Sequence, residues 1–272
     1  RRRDFRKRSA LWQALPIVSL PQALASLLLI LPLLTSVGCS RSRKPGELAP
    51  LVASSWTTQL EVKGFGPATL ALPLAATSPR PIAVVLHGAR DRAEWQCGAF
   101  RGLLGGNVFI LCPQGREVEP GFYGLGSIDA TEAELRAGLT ALKARFGAHV
   151  AKGSILLIGY AEGADVAADL VRQEPSFFAR VALLKSGASV FSSSNAKIFA
   201  ERGGKRVLFF CTDAACEQAG AQRAVLLTRA GAAAKSVKRE LSPYLDPPFV
   251  DALRGEMPWL LDGDARFAAP RR

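Results

Sequence analysis

A chain of 272 residues with ordinary apolar content (49% hydrophobic) and moderate charge (21%) reads as one large or two small globular domains, long enough to bury a real core. The formal net charge is +12, but the basic residues are scattered and form no stripe interleaved with aromatics, which argues against nucleic-acid binding. With only two histidines and no zinc-like cysteine spacing, no metal site is expected, and no motif asks for a cofactor.

Residues 1–38 read as an export signal. RRRDFRKR is a basic block, and the dense apolar run from Ala23 to Val37 ends at Gly38-Cys39. That run is short for a membrane span and is interrupted at Pro32. Ser36-Val37-Gly38-Cys39 resembles the lipobox of bacterial lipoproteins, although that motif usually has leucine where Ser36 stands. The resemblance implies a lipidated Cys39, attachment to a membrane and a place in the bacterial cell envelope; ordinary secretion or a retained anchor is the alternative. Removing residues 1–38 takes six Lys/Arg and one Asp and leaves a formal charge of +7.

Residues 39–55 read as a tether. From Trp56 to Leu74 two alternating stretches flank KGFGP, a β-hairpin pattern. Short unbroken apolar runs follow at 82–86, 107–112, 154–159, 181–184 and 207–211, the texture of strands covered on both faces. Helical segments separate them. One is expected over 131–146, with Leu135, Leu139, Leu142 and Phe146 on one face and Asp129 and Glu132 forming a capping box. A second, over 162–173, presents Ala164, Ala167, Ala168 and Val171. Alternating strands and helices predict an α/β fold: a mostly parallel sheet, helices on both faces, over residues 56–267, with 268–272 as a basic tail. The last strand is expected at SVKREL, 236–241. In an oxidising compartment Cys97, Cys112, Cys211 and Cys216 suit two local disulfides, with four separate buried thiols as the alternative.

The order of these elements, with His87-Gly88 after the 82–86 strand and a strand–turn–helix at SILLIGYAEGADVAADLV, resembles the α/β-hydrolases, and compact esterase-like members in particular. The likeness covers most of residues 56–267. It implies that the His87-Gly88 turn lends a backbone N–H to an oxyanion hole and that the strand–turn–helix is the nucleophile elbow, G-x-S-x-G. Here the elbow reads Gly159-Tyr160-Ala161-Glu162-Gly163: both glycines are in place, and alanine stands where serine attacks. Glu162 follows at the second oxyanion donor, where a carboxylate turned into the pocket would repel developing negative charge. The family's histidine belongs in the loop after the last strand, and that loop, Ser242 to Pro248, has none; Pro243 aligns with it. His149 follows the long helix and is expected at the surface or a strand edge. Asp213 stands near the family's acid, as a remnant or a loop-turning residue.

Other constellations are weaker. Lys185 and Ser186 are adjacent at a strand end, so their side chains tend to point apart rather than form a dyad. Glu162 as a carboxylate nucleophile and Cys97 as a thiol nucleophile have no base nearby in sequence. The reading is therefore a non-catalytic, lipid-anchored protein of hydrolase fold with a small-molecule ligand still to be named. The alternatives are an active ester hydrolase with an unrecognised nucleophile, or an envelope interaction module in which the pocket is irrelevant.

Overall fold

The computed structural model describes residues 46–268; the expected export signal with Cys39 and the tail residues 269–272 lie outside them. In chain order the elements are β1 (Thr57–Leu60), β2 (Ala68–Ala71), β3 (Ile82–Leu86), α1 (Ala93–Leu104), β4 (Phe109–Cys112), β5 (Arg116–Glu119), β6 (Phe122–Gly124), α2 (Ile128–Phe146) and β7 (Leu156–Tyr160). They continue with α3 (Glu162–Gln173), β8 (Arg180–Leu184), α4 (Ser193–Glu201), β9 (Arg206–Cys211), α5 (Ala214–Arg229), β10 (Ala233–Lys238), α6 (Pro247–Arg254) and α7 (Met257–Leu261). Eight strands form one sheet in the order β1-β2-β4-β3-β7-β8-β9-β10. The β1–β2 hairpin joins it antiparallel, through β2 to β4, and the other pairings are parallel.

The apolar runs form the middle of the sheet because both of its faces are covered. On β3, Ile82, Val84 and Leu86 join the core under α2, α3, α4 and α5, while Ala83 and Val85 join the core under α1, α6 and α7. Small residues bring α3 close: Ala164, Ala167 and Ala168 are fully buried against the sheet. The four cysteines form two disulfides, Cys97–Cys112 linking α1 to β4 and Cys211–Cys216 linking β9 to the first turn of α5. Segment 48–51 is docked: Leu48 and Leu51 donate to the carbonyls of Thr77 and Ala76, and Leu51 is buried.

Three local expectations need correction. The helix expected from Thr131 begins at Ile128, because the Ser127 hydroxyl accepts from the Ala130 N–H and caps it; Glu132 turns to Arg136 instead, at 2.8 Å. The last strand runs over 233–238 rather than 236–241, since the tight turn at Gly231 (φ +99°) brings Ala233 beside Arg206 and the pairing ends at Cys211. A two-stranded ribbon, β5–β6, falls between β4 and α2 where no strand was expected; β5 is exposed along its whole length.

Candidate functional site

The site is built at the C-terminal ends of the parallel strands, where ligands of open α/β sheets bind. Between β7 and α3 the chain turns at Ala161 with φ +51° and ψ −120°. For a residue with a Cβ this is a strained conformation, costing about 1–3 kcal/mol. It is imposed by close packing on both sides. A Cβ on Gly159 would lie 2.3 Å from the Gly163 carbonyl oxygen, and one on Gly163 would lie 2.2 Å from that of Leu86. Only glycine fits either position, so the tight crossing of β7 and α3 forces the strain onto residue 161. The Ala161 N–H donates to the Leu184 carbonyl (2.9 Å) and its own carbonyl accepts from Ala164 (2.8 Å).

The His87-Gly88 turn abuts this apex: a Cβ on Gly88 would sit 3.4 Å from that of Ala161. His87 itself is fully buried, with Nδ1 at 2.7 Å from the Gly88 carbonyl and Nε2 at 2.9 Å from that of Gln114. Both ring nitrogens are thus engaged by backbone. Behind it lies the buried Glu134, whose Oε1 accepts the N–H groups of Gln114 and Gly115, each at 3.0 Å. Burial pushes its carboxyl up, opposed by those two hydrogen bonds and by the nearby His87.

Beside the elbow opens a crevice of about 500 Å³ lined by residues from five segments: Ala89 to Asp91 after β3, Trp95 and Gln96 on α1, Tyr160 at the end of β7, Lys185 at the end of β8, and Pro243 to Leu245 before α6. At its floor the Pro243 carbonyl accepts two donors. The Tyr160 hydroxyl hydrogen-bonds to it, and Lys185 Nζ does so at 2.8 Å while lying 5.4 Å from the centre of the Tyr160 ring. A carbonyl oxygen has two lone pairs, and both are used. Burial, and then the charges of Asp91 and Asp246, push the Tyr160 phenol up to about 12, so it stays protonated at neutral pH. Asp91 accepts from the Arg92 N–H and from the Gln96 amide, each at 2.7 Å. Two other clefts, of about 420 and 670 Å³, lie elsewhere: one at the start of β3 and β7, the other between the end of α1 and the segment after α7.

The structure brings His87, Gly88 and the elbow residues together; of the expected residues Tyr160, Lys185 and Pro243 line the crevice, and the others stand apart from it. Glu162 is exposed and does not line it. Asp213 is exposed and caps α5, its Oδ1 accepting from the Cys216 N–H at 2.9 Å. His149 contacts the Ala49 carbonyl at 2.8 Å. Ser186 donates to Asp165 at 2.6 Å while Lys185 turns to Pro243, so the two neighbours do point apart. Cys97 is buried in its disulfide and is no thiol nucleophile. Among the described residues no cluster of three His, Cys, Asp or Glu could hold a metal ion, and no helix is long and apolar enough to cross a membrane. Sequence reasoning missed Asp91, Trp95, Gln96 and Tyr244 as crevice residues; Tyr244, next to Pro243, was the one with a signal.

Among solved structures, this chain is similar to FphF, a fluorophosphonate-binding serine hydrolase of Staphylococcus aureus, with a TM-score of 0.56 and 10% identity over 76% of this chain and 97% of that one. The fold is that of the α/β-hydrolases. Two further hydrolase-fold neighbours are TT1662 of Thermus thermophilus (TM-score 0.52, 15% identity, 76% and 98% covered) and Est1E of Butyrivibrio proteoclasticus (0.51, 13%, 76% and 99%). No family model and no curated protein matches the sequence.

Proposed function

We propose that this hydrolase-fold chain is an exported, lipid-anchored protein that binds a small molecule in the crevice and does not hydrolyse it. The observation that carries the reading is the pairing of a methyl group at the elbow apex, Ala161, with a loop that supplies no base: where the family's histidine would stand, the Pro243 carbonyl is held by Tyr160 and Lys185. An acyl-enzyme route needs a nucleophile and a base to activate it, and these positions offer neither. The two disulfides suit an oxidising compartment and support export; lipidation rests on the Cys39 motif alone.

Neighbours such as FphF and Est1E favour a second reading, an active ester hydrolase with another nucleophile. One experiment separates the two. The mature protein is exposed to a reactive fluorophosphonate and its intact mass measured. An unchanged mass is expected; a stoichiometric adduct would overturn the binding-protein reading, and peptide mapping would name the nucleophile. The anchor is tested apart from this, by labelling cells with a fatty acid and comparing the parent with Cys39→Ser, which is expected to lose both label and membrane association.

A further inference from the structure

Lys185 places a cation in the crevice. It is a non-glycine residue at φ +70°, on the end of β8, with its ammonium turned over Tyr160 into the crevice. Among the described residues no carboxylate forms an ion pair with it: the other crevice cation, Arg90, is matched by Glu119 at 2.5 Å, whereas Lys185 has only the neutral carbonyl of Pro243. An ammonium has three donors, and one is used here. The other two donors are open to a ligand in the crevice. The one carboxylate lining the crevice, Asp91, accepts from the Arg92 backbone N–H and the Gln96 side-chain amide and forms no ion pair with Lys185.

The walls indicate the rest of the occupant. Trp95 on α1 and Tyr244 in the loop before α6 are 55% and 74% exposed, and both line the crevice together with Leu245. Large aromatic side chains left in water around a cleft offer flat apolar faces on which a ring can stack. The geometry points to a flat-bodied organic carboxylate as the ligand class: the carboxylate is the counter-ion that Lys185 lacks, and its ring lies against Trp95 and Tyr244. The inference rests on the reading that this crevice binds its occupant.

The test uses naphthoate and its neutral amide, naphthamide, which differ in charge and hardly in shape. Calorimetry on the mature protein is expected to show the acid binding about tenfold more tightly than the amide. Lys185→Gln should erase that preference, Lys185→Arg should keep it, and Trp95→Ala should weaken both probes alike, with the thermal melt of each variant checking its fold. Equal affinity for acid and amide, a preference that survives Lys185→Gln, or no binding of the acid up to about 10 mM would overturn the inference. None of these results depends on phosphonate labelling, so an adduct there and a failure here are separate findings.

Discussion

At Ala161 the backbone keeps the shape of a nucleophile elbow while the side chain carries no chemistry. The strain is set by Gly159 and Gly163 and is already borne by alanine, so Ala161→Ser is expected to change stability by less than about 0.5 kcal/mol. The same variant is expected to show no ester turnover, because no base stands ready to take the hydroxyl proton. Turnover of an activated ester by that single mutant would mean that a base exists which neither sequence nor structure has identified. Tyr160 gives a second measurement at this scale. Its folded value of about 12 lies above the ordinary 10, so its contribution to stability is present below pH 10 and is lost as pH rises through 12. Of the three tyrosines, one should ionise about two units late in an ultraviolet titration of the native protein, and Tyr160→Phe should remove that late step.

Among the elements, α2 is tied to the loop after β4 by one buried carboxylate. Removing Glu134 leaves the part-buried N–H groups of Gln114 and Gly115 without their acceptor, and Glu134→Ala is expected to cost about 2 kcal/mol in urea unfolding. Because burial raises its folded pKa above the ordinary 4.5, the native state holds this proton more tightly than the unfolded chain. The associated stability is complete below 4.5 and falls away as pH rises through the folded value. Glu134→Gln keeps an acceptor and should remove that fall, which the difference between the two pH–stability curves would show. The elements also show which signals a sequence carries. β3 was legible because all five of its residues are buried, and so the run IAVVL carries no polar interruption. β10 was misplaced because AAKSVK is half-exposed along its length, at the sheet's edge, and β5 was missed because REVE is wholly exposed. In the site, the spacing of Gly159 and Gly163 was visible because it is local. The meeting of Tyr160 and Lys185 on Pro243 was not, since it joins residues 83 and 58 positions apart.

Across the whole molecule, the two ends of the parallel strands do different work. At the far end from the crevice, the buried Arg180 donates to the carbonyls of Leu260 and Asp262 and faces Asp264, which also holds Arg266, so the C-terminal segment is fastened beneath the start of β8. On the crevice side of the core, the Cys97–Cys112 link closes a loop of 15 residues and Cys211–Cys216 one of 5. By loop length, replacing the first pair with alanines is expected to lower stability by about 3 kcal/mol and the second by about 2, read from urea midpoints of the two double variants. The latch that Tyr160 and Lys185 form on the Pro243 carbonyl has a different kind of consequence. Its acceptor is a main-chain oxygen, which every amino acid supplies, so residue 243 is free to drift without loosening it. In homologous chains the latch would therefore be inherited with the tyrosine and the lysine, and its history should be sought in the joint descent of that pair.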